Sequence, residues 1–189
     1  MPSKRTLAGL GSLAAVVGFS GVAAAQSPTA GTGLGLPVRM GIRFGVAAVI
    51  YLVLGGACAA LGPEYTTNRV REIQDDPGSA FGWGFVVGLL VPVGLVLLAI
   101  TIIGLIVTIP GLLLLAVLQF IGFGVTAVWL GNTVAGTRGE SVGAKDAVVG
   151  AIVLAIPFAI PLIGQLLVNL VGWFGLGVVG RNVYENWKD

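Results

Sequence analysis

The chain has no histidine and one cysteine, and only 10% of its 189 residues are charged. Each scarcity removes a class of function. Without histidine, and without a second cysteine, the usual zinc and thiolate metal sites cannot be built. A single cysteine closes no disulfide within the chain, and Cys58 lies inside an apolar segment, where a small packing residue is the expected role. Soluble domains carry roughly 25% charged residues. A net charge of +2 is too small to call for nucleic acid. No charged side chain lies within the long apolar runs except Arg43, at the end of one. Proton- and cation-coupled carriers place ionisable groups inside the bilayer, so that mechanism loses its main signal. Intramembrane proteolysis needs paired Asp, Ser with His, or metal ligands, and none of these sets is present. The chain is read as no enzyme, with no cofactor.

What is present is apolar sequence. Hydrophobic residues make up 56% of the chain, with a mean hydropathy of +1.01 and 31 glycines. From Pro77 to Thr137, and again from Ala147 to Gly180, no Lys, Arg, Asp or Glu occurs. A soluble domain of this size cannot bury such runs, whereas a bilayer can. The expected fold is all-α: a polytopic transmembrane helical bundle of about five mature spans, with hairpins broken by Pro and Gly.

Residues 1–25 read as a signal peptide, with Lys4 and Arg5 at its start, an apolar Leu7–Val22 stretch, and small residues Ala23 and Ala25 before Gln26. An uncleaved first membrane helix is the rival reading. Residues 26–40 read as a flexible linker, 41–181 as the transmembrane domain and 182–189 as a cytoplasmic tail. The first mature span is Gly41–Gly62. Glu64–Ala80 is a charged loop in which Val70 and Ile73 allow a short amphipathic helix on the membrane surface, and Asp76 with Ser79 forms a turn or helix cap. Phe81–Ile103 is the second span, with Pro92 as a kink. Gly104–Pro110 is expected as a hinge, and Gly111–Val134 as the third span. The second uncharged run is expected to fold back at Pro157–Gly164, its first limb short enough to be tilted or re-entrant. The two runs look weakly alike, each with an Ile-Gly pair near its turn, Ile103-Gly104 and Ile163-Gly164.

With the amino terminus outside, Arg69/Arg71, Arg138/Lys145 and Arg181/Lys188 all fall inside, as the positive-inside rule prefers. The expected location is a multi-pass cell-membrane protein with a cytoplasmic carboxyl terminus. Arg39 and Arg43, at the outer end of the first span, dissent. The candidate intramembrane polar and hinge residues are Pro92, Thr101, Gly104, Pro110, Gln119, Pro157, Pro161, Gln165 and Asn169. They read first as interhelical hydrogen-bond and packing positions, and second as the lining of a path for a small solute or lipid. Arg69 and Arg71 are the candidate partner contacts.

Pro77-Gly78-Ser79, Gly84 to Pro92, Thr101-Ile102-Ile103-Gly104 with Pro110, Leu130-Gly131-Asn132, and Ile160-Pro161-Leu162-Ile163-Gly164 with Gly175-Leu176-Gly177 form a pattern. It resembles an uncharacterised polytopic membrane domain, a domain of unknown function found fused to or beside bactofilin-type polymer-forming proteins in bacteria and haloarchaea. The resemblance covers about Gly41 to Arg181. It implies a membrane-anchoring helical domain without enzymatic activity. The chain contains no β-helical repeat, so a bactofilin-type partner is expected as a separate chain. The partners expected are membrane lipids, such a bactofilin-type or other membrane-associated protein, and further copies of the chain in a homo-oligomer. The function expected is a membrane anchor or scaffold, with a small transporter, channel or lipid-handling protein as the alternative.

Overall fold

The computed structural model describes residues 35–138, 140–160 and 163–187. The signal-peptide segment, the linker to residue 34, Pro161 and Lys188 lie outside the described residues. The chain divides into two units, Met1–Arg39 and Met40–Asp189. The described part of the first is Gly35 and the opening of a helix, where Arg39 N–H donates to the Gly35 carbonyl at 3.2 Å. Within the second unit every described element is helical.

The elements are α1 (Leu36–Leu61), α2 (Pro63–Asp75), α3 (Pro77–Leu98), α4 (Ile102–Val134), α5 (Ala144–Phe158) and α6 (Ile163–Asn186). Four of them, α1, α3, α4 and α6, are long and apolar enough to cross a membrane. Helix α5 has 15 residues, about 22 Å, which is short of the ~30 Å hydrocarbon core. The helices begin and end where the side chains dictate. Asp76 Oδ1 accepts from Ser79 N–H at 3.0 Å and opens α3. Thr101, in extended backbone, accepts from Gly104 N–H at 2.9 Å and opens α4.

The expected hinge moves accordingly. The turn between α3 and α4 is Ala99–Thr101, and both Gly104 and Pro110 lie inside the 33-residue α4. A hydroxyl that caps a helix stops it more decisively than a proline near its start, where a missing N–H breaks only one bond. Pro157 likewise sits in the last turn of α5 instead of interrupting it. Pro92 has a visible consequence. Its ring cannot donate to, and would crowd, the carbonyl four residues back. The preceding turn, Val86–Leu90, is π-helical, with Val91 N–H reaching five residues back to Val86. The wider turn absorbs the mismatch.

Helices α3 and α4 form one hairpin, and α5 and α6 another. Their turns share a detail: a Cβ on Gly104 would fall on the Leu98 carbonyl, and a Cβ on Gly164 would fall on the Pro157 carbonyl. Near the opposite end the hairpins exchange partners. Helix α3 packs on α6, with a Cβ at Gly84 colliding with the Trp173 carbonyl and one at Gly177 with that of Ala80. Helix α5 packs on α4 in the same reciprocal way, through Gly150 against the Ala127 carbonyl and Gly131 against that of Asp146. In each crossing the four positions are spaced i, i+4 on both helices, which brings backbone against backbone. Gly122 of α4 faces Leu176 of α6, where an added Cβ would stand 2.8 Å from the Leu176 Cα, and joins the two hairpins between these crossings. Helix α1 lies on α4, where a Cβ on Gly124 would meet the Leu54 carbonyl at 2.8 Å, and Cys58 packs in the same crossing.

The buried core includes Val125 and Val128 of α4, Leu154 of α5, Leu176, Val178 and Val179 of α6, and Val70 and Ile73 of α2. Large apolar side chains elsewhere face outward, among them Val49, Val53, Leu97, Ile106, Leu113 and Phe120. On a soluble protein such a surface would aggregate, and on a membrane helix it is the lipid-facing side.

Candidate interaction surface at the charged end

One end of the bundle gathers the described acids and all the described bases except Arg39 and Arg43. It comprises α2, the α2–α3 corner, the α4–α5 loop and the last turns of α6. The opposite end consists of the Ala99–Thr101 turn and the α5–α6 turn.

Helix α2 closes the charged end. Pro63 is at its first position, where the absent N–H costs nothing, and Glu64 favours the helix dipole. Thr66, Thr67, Val70 and Ile73 form its buried face at helical spacing. The expected amphipathic helix is present, but Val70 and Ile73 pack into the core of the bundle instead of facing a membrane surface. The two threonines bind backbone. Thr66 Oγ1 donates to the Cys58 carbonyl at 2.8 Å, tying α2 to the end of α1. Thr67 Oγ1 donates to the Pro63 carbonyl at 2.7 Å and accepts from Val142 N–H at 3.3 Å, tying α2 to the α4–α5 loop.

A chain of side-chain bonds continues from there. Gln74 Nε2 donates to Asn132 Oδ1 at 3.0 Å. Asn132 Nδ2 donates to the Thr137 carbonyl and hydroxyl at 3.0 and 2.9 Å. Thr137 Oγ1 donates to Asp146 Oδ1 at 2.8 Å, and Gly143 N–H donates to Asp146 Oδ2 at 2.8 Å. Asn132 is 1% exposed and Asp146 3%. Buried amides and carboxylates are retained only when satisfied, and this network satisfies them. Sequence reasoning missed it. Asp146, three residues after Gly143 at the start of an apolar run, is the signal that points to a helix-capping carboxylate.

Arg69 and Arg71 take different places. Arg69 is ion-paired to Glu72 at 2.6 Å and lies over the Tyr65 ring, 5.5 Å from its centroid. Burial pushes the Tyr65 phenol up, and Arg69 pulls the other way. Glu72 also meets Arg181 at 3.7 Å, and Arg181 holds Glu185 at 2.7 Å. Arg71 is exposed and lines a shallow open groove with Pro63, Glu64, Thr67, Asn68 and Ser141. Glu64, Asn68, Arg71 and Asp75, spaced by four, three and four residues, make the exposed stripe of α2.

The intramembrane candidates are dispersed. Thr101 is spent on its cap, and its hydroxyl also donates to the Leu98 carbonyl at 2.9 Å. Thr108, 4% exposed, sits 3.0 Å from the Leu95 carbonyl and 2.7 Å from that of Gly104, fastening the α3–α4 hairpin. Gln119 on α4 is half-buried and stands about 27 Å from Thr101 along the helix axis. Gln165 and Asn169, also half-buried, share a face of α6. No hydrogen bond joins Gln119, Gln165 and Asn169 to one another among the described residues.

A family model described as Domain of unknown function (DUF8173) matches residues 1–188. No curated protein and no solved structure matches the chain.

Proposed function

We propose that this chain, which belongs to the family described as Domain of unknown function (DUF8173), is a non-enzymatic integral membrane protein that anchors or scaffolds a partner at the membrane. The observation that carries this reading is the construction of the charged end. Helix α2 is fastened to the α4–α5 loop through Thr67 and Val142, and to the helix bundle through Gln74 and Asn132. Its exposed stripe, Glu64, Asn68, Arg71 and Asp75, is therefore presented on a rigid support. A pre-ordered polar surface loses little entropy on docking, which suits recognition better than a floppy loop does. The other faces are apolar and belong to lipid.

Five helices running between the two ends, with the amino terminus outside and the carboxyl terminus cytoplasmic, complete the proposal. Arg71, Arg138, Lys145 and Arg181 then fall on the cytoplasmic side. The partner proposed is a membrane-associated protein docking on α2, with a bactofilin-type polymer as the class the sequence resemblance supports. A photo-crosslinker at Asn68 tests the reading, followed by identification of what is captured. A discrete partner released by Arg71→Glu supports the scaffold, and capture of no cytoplasmic or membrane protein rejects it.

A further inference from the structure

Arg43 is the one charged residue of α1 within the second unit, and it lies at the turn end of the bundle. Its guanidinium stands over the ring of Phe158, the last residue of α5, 5.6 Å from the centroid. Its Nε is buried and has no hydrogen-bond partner, and it makes no ion pair among the described residues. Phe158 also packs edge-on against Tyr51, at 6.3 Å between centroids, and Tyr51 against Phe123 at 6.1 Å. The cation therefore rests on a built aromatic platform.

The described residues supply no counter-charge there. Asp146, the only acid on α5, opens that helix, twelve residues and about 18 Å before Phe158. The acid following α1 is Glu64, beyond that helix's far end. Arginine keeps its charge under all ordinary conditions, and an oxyanion is the strongest acceptor for the donors of a guanidinium at a membrane boundary. Exposed Ile42, Val46 and Val49 on the same stretch of α1 give it an apolar surround, from which a long guanidinium side chain reaches toward a polar boundary.

We propose that Arg43 holds the phosphate of an anionic phospholipid headgroup at the turn end of the bundle, with Phe158 as the platform that keeps the guanidinium aimed outward. The site also accounts for a basic residue in the leaflet where the positive-inside rule disfavours one. It is independent of any partner on α2.

The test uses the full chain purified in detergent and returned to nanodiscs of phosphatidylcholine with or without phosphatidylglycerol, with native mass spectrometry reading the retained lipid. Wild type should keep one phosphatidylglycerol in preference to phosphatidylcholine by about tenfold, because the choline cation of phosphatidylcholine offsets the phosphate charge that the guanidinium meets. Arg43→Gln should bring that preference close to one, and Arg43→Lys should keep part of it. Phe158→Leu retains the cation and should lose several-fold, so the platform is tested even where Arg43→Gln does not fold. Arg138→Gln, at the charged end, should change nothing. Equal retention by wild type and Arg43→Gln would overturn the proposal. So would protection of the lipid-free protein by inorganic phosphate that matches the effect of the lipid.

Discussion

Gly150 packs its backbone onto the Ala127 carbonyl of α4, and a methyl group placed there has nowhere to go. The added Cβ would stand 2.6 Å from the Ala127 carbonyl carbon and 3.0 Å from Gly131 N. These are backbone atoms of a helix held on its other sides by α1 and α6, so no side chain can swing aside. Restoring ordinary contact means parting α4 and α5 by well over ~1 Å, and a gap of even ~0.5–1 Å forfeits a quarter to a half of each contact's attraction along the crossing. Overpacking of this kind costs about 1–3 kcal/mol. The helical preference of alanine returns about 0.5–1 kcal/mol, which reduces the loss without reversing it. A net loss near 1–2 kcal/mol lowers the midpoint of thermal unfolding by about 2–8 °C for a chain of this length. Gly84→Ala, at the α3–α6 crossing, should do the same through the Trp173 carbonyl. Gly94→Ala and Gly82→Ala are the controls, because a Cβ at either meets nothing within 4 Å. They should hold or raise the midpoint. The assay is thermal unfolding in mild detergent, followed by loss of the monodisperse gel-filtration peak. If Gly150→Ala proves as harmless as Gly94→Ala, the interlocked-hairpin account of packing is wrong.

Three further substitutions probe other joints. Asp146→Ala leaves Thr137 and Gly143 N–H without their acceptor and should cost about 2–3 kcal/mol, with faster amide exchange in α2 and in the α4–α5 loop. Thr101→Ala removes the cap of α4 and should cost about 1 kcal/mol, read as a lower unfolding midpoint. Thr108→Val keeps shape but loses the hydroxyl that joins α4 to Leu95, and should cost about 0.6–1.7 kcal/mol, with the loss localised by exchange at the α3–α4 turn.

The membrane class was legible from the start, because no arrangement of a soluble domain hides the runs Pro77–Thr137 and Ala147–Gly180. The two hairpins were legible too, as were the amphipathic α2 and the Asp76–Ser79 cap, since each rests on local pattern. The position of the first hinge was not. A Gly-Pro cluster at Gly104–Pro110 outweighed Thr101 on the page, although one side-chain oxygen bonding a free N–H decides where α4 begins. The exchange of partners between hairpins was hidden for a different reason. Among 31 glycines, one that seats a backbone, such as Gly150, looks the same in sequence as Gly94, which faces open space. The polar network at the charged end was hidden because its members, Gln74, Asn132, Thr137 and Asp146, are far apart in the chain and come together only when α2 folds across the bundle end. Arg69 was read as a contact residue on charge alone, whereas its partner Glu72 lies one turn away on the same helix.

The account turns on the two hairpin turns lying on one side of the membrane and α2 with the α4–α5 loop on the other. In a Cys58→Ala background, single cysteines at Ile100, Ile160, Asn68 and Glu140 can be challenged with a membrane-impermeant maleimide in intact and permeabilised cells. The Ile100→Cys and Ile160→Cys chains should label in intact cells, and the Asn68→Cys and Glu140→Cys chains only after permeabilisation. Labelling of Ile100→Cys and Ile160→Cys from opposite sides would contradict the account.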